Sequence, residues 1–195
     1  MTNAYDFNDA GNQRSFNLIP AGTICTLQLH IRPGGVGEGG WQKSFSNGSC
    51  RGLDCEFTAV DGPYAKQHIW KTVILEGTTP GHAEAADISR KFIKAVLDCS
   101  RGIRPDDESE AAKQARILKN GWADLDGLRF IARLGIEPPN DGYEAKNKIT
   151  EVITPERRGW KPVEQISQSS GSTSPAPAPT GTITRPDWAK ESGNG

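Results

Sequence analysis

The stretch that most constrains this chain is Leu53–Leu75, where two runs of alternating apolar residues flank Asp61-Gly62-Pro63. Alternation around a turn of that composition predicts a β-hairpin. In the first run Leu53, Cys55, Phe57 and Ala59 share one face, and Asp54, Glu56 and Thr58 share the other. In the second, Ile69, Lys71, Val73 and Leu75 alternate with His68, Trp70, Thr72 and Ile74. That run is apolar on both faces near its end, which predicts a central strand. Pro63 has no N–H for a ladder, so it belongs in the turn. Tyr64 and Lys66 are then expected exposed and close together at the tip.

The surrounding chain supplies partners. Cys25, Leu27, Leu29 and Ile31 alternate with polar residues up to Pro33 and predict a first strand. Thr79-Pro80 opens a helix as cap and first residue, and Ile88, Phe92, Val96 and Cys99 form its expected buried stripe. Gly102 stops it, and residues 106–119 predict a second, more polar helical segment. Leu128, Phe130, Ala132 and Leu134 predict a fourth strand, with Arg129 and Arg133 on its other face. Lys146–Thr154 predicts a fifth, stopped by Pro155. The expected core is Leu27, Leu29, Phe57, Ile69, Val73, Phe92, Val96, Phe130 and Ile149.

Three strands, a helix and two more strands is the connectivity of the OB-fold. The expectation is a mainly β protein with one or two helices, an OB-fold-like five-stranded barrel, followed by a disordered tail. Residues 1–17 read as a flexible arm, 18–160 as the domain and 161–195 as the tail, whose Ser/Pro/Gly/Thr composition marks a linker.

Composition excludes several function classes. Residues 1–160 carry 20 Lys/Arg against 21 Asp/Glu, and the remainder 3 against 3, so no global basic field advertises nucleic acid. Any such binding needs a local basic face. Cys25, Cys50, Cys55 and Cys99 lack finger-like spacing and read as inert thiols, with no metal or cofactor expected. The glycine-rich stretch 33–51 follows a strand but lacks the Gly-Lys pair of a phosphate loop, since Trp41 and Gln42 intervene. It is expected to be a mobile loop. His30, His68 and His82 stand alone, without a serine elbow or a metalloprotease motif, so no enzyme is expected. A polar N-terminus and no run of membrane-spanning length point to a cytoplasmic protein.

Asn17–Gly22, Phe57–Tyr64, Ile69-Trp70, Lys146–Ile149 and Val152–Pro155 together resemble a family of short phage and mobile-element proteins that bind single-stranded DNA and are linked with recombination. The resemblance covers residues 16–160. It implies an OB-like fold, single-strand binding in recombination or replication, and no catalytic residue. The chain lacks the strongly acidic C-terminal tip of bacterial housekeeping single-strand binders.

Single-strand binding needs cations along phosphates and aromatic faces under bases. The candidate aromatics are Trp41, Phe45, Tyr64, Trp70 and Tyr143. The candidate cations are Arg32, Lys43, Arg51, Lys66, Lys71, Arg129, Arg133, Lys146 and Lys148. Trp41 is the foremost contact expected, because its glycine-rich neighbours offer little to bury it. In the tail, Arg185, Asp187 and Trp188 form a compact island expected to dock another protein. With the resemblance, that partner would be a recombinase, nuclease or replication protein. Homo-oligomerisation stays open. The alternative is a protein-binding adaptor or a structural component of a phage or mobile element, without nucleic-acid binding.

Overall fold

Alternation of apolar and polar residues builds six strands, and a long amphipathic helix covers one end of the sheet they form. The computed structural model describes residues 18–140 and 144–165. The expected N-terminal arm, Tyr143 and the island of Arg185, Asp187 and Trp188 lie outside the described residues. The strands are β1 (Ile24–Arg32), β2 (Lys43–Phe45), β3 (Cys50–Ala59), β4 (His68–Gly77), β5 (Arg129–Glu137) and β6 (Lys146–Val152). The helices are α1 (Pro80–Arg101) and α2 (Glu110–Ala115).

All pairings are antiparallel. β3 carries β4 along one edge, from Thr58↔His68 to Cys50↔Gly77. Its other edge takes β1, from Leu27↔Ala59 to Arg32↔Asp54, and then β2, from Lys43↔Gly52 to Phe45↔Cys50. β1 passes on to β5, and β5 to β6. The five long strands expected from the sequence are present and run β4-β3-β1-β5-β6 in the sheet. Two features differ. The sixth strand, β2, arises inside the glycine-rich stretch, and β4 and β6 do not pair, so the barrel stays open along a seam.

β4 is thus an edge strand, not a central one. Its inner face is apolar because α1 packs against it, and Lys71 reaches over the Phe92 ring with Nζ 5.5 Å from the ring centre. Phe57, Phe92 and Phe130, from β3, α1 and β5, meet edge to face at 5.8–6.3 Å and lock helix to sheet. Leu27, Leu29, Phe57, Ile69, Val73, Val96 and Phe130 are buried, and Phe92 and Ile149 are partly buried against them.

Helix α1 keeps its expected ends. The Thr79 hydroxyl accepts the His82 N–H at 3.2 Å, and Gly102 leaves the helix at φ 67°. The stripe differs at one point: Ile88 is 55% exposed. Ala86 and Ser89 are buried instead, and Ile88 lies about 100° around the helix from Ser89. α2 is only a short part of the segment 106–119.

The ordered chain continues past residue 160. Trp160 donates its indole N–H to the Cys99 carbonyl at 3.2 Å. The Gln165 side-chain amide then accepts from the Arg129 N–H and donates to the Arg129 carbonyl, both at 2.9 Å, as a neighbouring strand would. Beside it the Cys99 sulfur accepts the Ile131 N–H at 3.2 Å. Together they cap the edge of β5 that β6 does not reach. All four cysteines are buried and unpaired. Burial pushes the Cys25 and Cys99 thiols up to about 11 and Cys55 to about 12, so these three stay protonated at neutral pH. No helix among the described residues is long and apolar enough to cross a membrane.

Candidate nucleic-acid interface

The polar positions of β1, β3 and β4 fall in register and make one outer face. Glu56 lies between His30 and Trp70, and Asp54 lies between Arg32 and Thr72. Trp70 is 58% exposed on this face, and the His68 ring stacks beside it at 6.0 Å with 22° between planes. His68 Nδ1 lies 2.6 Å from Glu56 Oε1, and His30 Nδ1 lies 2.9 Å from Asp126 Oδ1.

Where the face meets the seam there is a cleft of about 460 Å³. Arg32 and Asp54 form its floor. Trp70, Lys71 and Thr72 of β4 make one wall, and Glu137, Lys146, Asn147, Lys148 and Ile149 of β5 and β6 make the other. The cleft exists because β4 and β6 do not pair. Asn147 anchors its β6 side by accepting the Ile19 N–H at 2.9 Å and donating to the Ile19 carbonyl at 2.8 Å.

Charge in the cleft is partly neutralised. Asp54 takes Arg32 Nη2 on one oxygen at 2.5 Å and Lys43 Nζ on the other at 2.9 Å. Burial alone would raise its carboxyl, but the hydrogen bonds and charges of Lys43 and Arg32 outweigh that and hold it below the usual carboxylate range. Lys146 stands 3.4 Å from Glu137. Lys148 is exposed and has no ion-pair partner among the described residues.

The expected contacts therefore separate into groups. Arg32, Trp70, Lys71, Lys146 and Lys148 come together around the cleft, and Lys43 joins them through Asp54. Arg51 pairs with Glu76 at 2.5 Å outside it, and Lys66 sits exposed at the hairpin tip with φ 72°. Arg129 donates to Gln28 at 3.3 Å, and Arg133 pairs with Glu151 at 3.1 Å. Phe45 is half-buried, with Lys43 Nζ 5.7 Å from its ring centre.

Two aromatic expectations are corrected. Trp41 is half-buried and packed against the core, and so is Tyr64 at the hairpin tip. The glycines around Trp41 bring this about. Val36 and Gln42 exchange N–H···O bonds at 3.0 Å, making residues 35–42 a tight loop that turns the ring inward rather than a loose one. Gly39 sits against that ring at φ 68°, where any Cβ would meet its Cδ1. What sequence reasoning missed is the acid. Asp54, Glu56, Thr72 and Asn147 belong to the face or the cleft. Alternation had placed the first two on a polar face, but only strand register shows that this face also holds Arg32 and Trp70.

No protein-family model and no curated protein matches the chain.

Proposed function

We propose that the protein binds single-stranded DNA, with wide sequence tolerance, along the cleft between β4 and β6. The observation that carries this reading is an exposed tryptophan set against a cleft edged by lysines. Trp70 offers a stacking face, and Lys146 and Lys148 offer charge to a passing phosphodiester. The outer face of the second and third long strands, with the neighbouring loops, is where OB-type barrels take oligonucleotides. The resemblance to recombination-associated phage and mobile-element proteins adds a setting, the handling of single strands in recombination or replication.

The test is anisotropy of a labelled mixed-sequence oligonucleotide, titrated as a single strand and as its duplex over a range of salt. Two lysines on phosphates give a log–log salt slope of about −1.4 for the single strand. Salt-independent binding, or no binding at low salt, sinks the proposal. A protein-binding adaptor is the second reading, and the free edge of β4 favours it, because an extended segment of a partner could pair there.

A further inference from the structure

His68 and Trp70 are alternate residues of β4, so their rings stand side by side on the outer face, stacked at 6.0 Å. The next position on that face is Thr72, whose side chain is too small to continue the row. This leaves a ring-sized slot beside the face of Trp70 turned away from His68, opening into the cleft. The floor of the slot is Asp54, which is opposite Thr72 in register and has a side chain 12% exposed.

That floor is unusual for a site that takes a polyanion. A carboxylate repels phosphate, so the backbone is held to the lysines of β6 and the base is turned inward. Each Asp54 oxygen accepts one bond, from Arg32 or from Lys43. A carboxylate has about four acceptor sites, so capacity remains for a donor arriving from the cleft. Arg32 uses Nη2 on Asp54, and the guanidinium is half-exposed with further N–H groups to offer.

We propose that the slot over Thr72 is a base-reading subsite, in which a base stacked on Trp70 donates an exocyclic amino group to Asp54. The inference rests on the single-strand reading above and makes it selective at one position. Cytosine meets these groups, with its N4 amino group on the carboxylate and its ring N3 and O2 turned to Arg32 and the Thr72 hydroxyl. Carboxylates accept from cytosine N4 in this way elsewhere in nucleic-acid recognition. Uracil and thymine place a carbonyl oxygen where cytosine has the amino group, and that oxygen meets a negative charge.

The experiment compares oligo-dC, oligo-dU and oligo-dT of one length and at one salt, followed by tryptophan quenching and anisotropy. Cytosine and uracil differ only in that exocyclic group and its ring-proton consequence, so dC against dU isolates the contact from the thymine methyl. The expected result is dC about tenfold tighter than dU and dT. In Asp54→Asn, whose amide can donate as well as accept, the dC/dU ratio falls towards one. Equal affinities, or tighter dU or dT, overturn the subsite and leave the single-strand reading standing. A folded Asp54→Asn protein that keeps the full preference overturns it as well. If Asp54→Asn does not fold, oligo-dC carrying N4,N4-dimethylcytosine supplies the test on the ligand side. Loss of the preference supports the contact, and its retention overturns it. If neither these homopolymers nor a mixed-sequence oligonucleotide binds at low salt, the single-strand reading itself falls.

Discussion

Two carboxylates in this molecule have the same partners by type and opposite surroundings. Asp98 of α1 holds Arg116 at 2.7 Å and Lys94 at 3.1 Å, and Asp54 of β3 holds Arg32 at 2.5 Å and Lys43 at 2.9 Å. Around Asp98 the protein completes the shell. Its side chain is 1% exposed, and Arg116 gives its other N–H groups to the carbonyls of Asp107 and Arg104 at 2.8 and 3.0 Å. Lys94 likewise donates to the Pro105 carbonyl at 3.0 Å. Around Asp54 both cations are 47% exposed, whereas at Asp98 Lys94 is 44% exposed and only Arg116, at 13%, is enclosed. One hub fastens the turns after α1 to the helix, and the other faces a cleft with bonding capacity to spare. The residue types do not separate them; the shell beyond the ion pair does.

The largest effect expected from breaking this pair of hubs is at Asp98. Asp98→Ala strands the enclosed Arg116, 13% exposed, against carbonyls and should lose about 3–5 kcal/mol of stability in urea unfolding. The half-exposed partners of Asp54 predict a far smaller loss for Asp54→Asn, about 1 kcal/mol or less by the same measurement.

The tryptophans extend the contrast between closed and open sites. Trp41→Ala should lower stability by about 2 kcal/mol, through packing lost against the core. Trp70→Ala should leave stability within about 0.5 kcal/mol while weakening oligonucleotide binding by about 1–3 kcal/mol. Equal stability losses at the two positions would erase the distinction drawn here.

Acid sharpens the comparison further. The Asp54 carboxyl titrates below its ordinary value in the folded protein, so its contribution is in place above the unfolded-state value of about 3.9 and disappears as pH falls through the folded value. Wild type should therefore lose stability relative to Asp54→Asn as pH drops below about 4, with urea midpoints as the readout. An unchanged difference across that range would mean that Asp54 is not held as described. The smallest effect belongs to the cation wall. Lys148→Gln should reduce the log–log salt slope of single-strand binding by about 0.7, the share of one neutralised phosphate.

Much of the fold was legible in the chain. The alternation of Cys25–Ile31, Leu53–Ala59 and Leu128–Leu134 found strands whose expected faces are largely buried, with Ile131 on the other face of β5 buried as well. Thr79-Pro80 and Gly102 marked α1 because capping is local chemistry, completed within one helical turn. The candidate site was legible only in part. Trp70 could be assigned by alternation to a face but not to solvent, since Ile74 on the same face argued for core. Trp41 pointed the wrong way, because composition counts the apolar neighbours in sequence while the tight 35–42 loop supplies neighbours from elsewhere.

By itself the sequence determined the five long strands and α1, most of the residues that face inward from them and the order in which they follow one another along the chain. These depend on side-chain period and on turn residues, interactions that span a few positions. Only the tertiary structure decided that β4 and β6 stay unpaired and that Arg32, Asp54 and Thr72 share a row. It alone set Lys146 and Lys148 across a cleft from Trp70, and it enclosed the arginine of Asp98 while leaving the arginine of Asp54 half-exposed. Those outcomes depend on register between strands distant in the chain and on what packs outside them. A one-residue slip in that register would turn every one of these side chains to the opposite face.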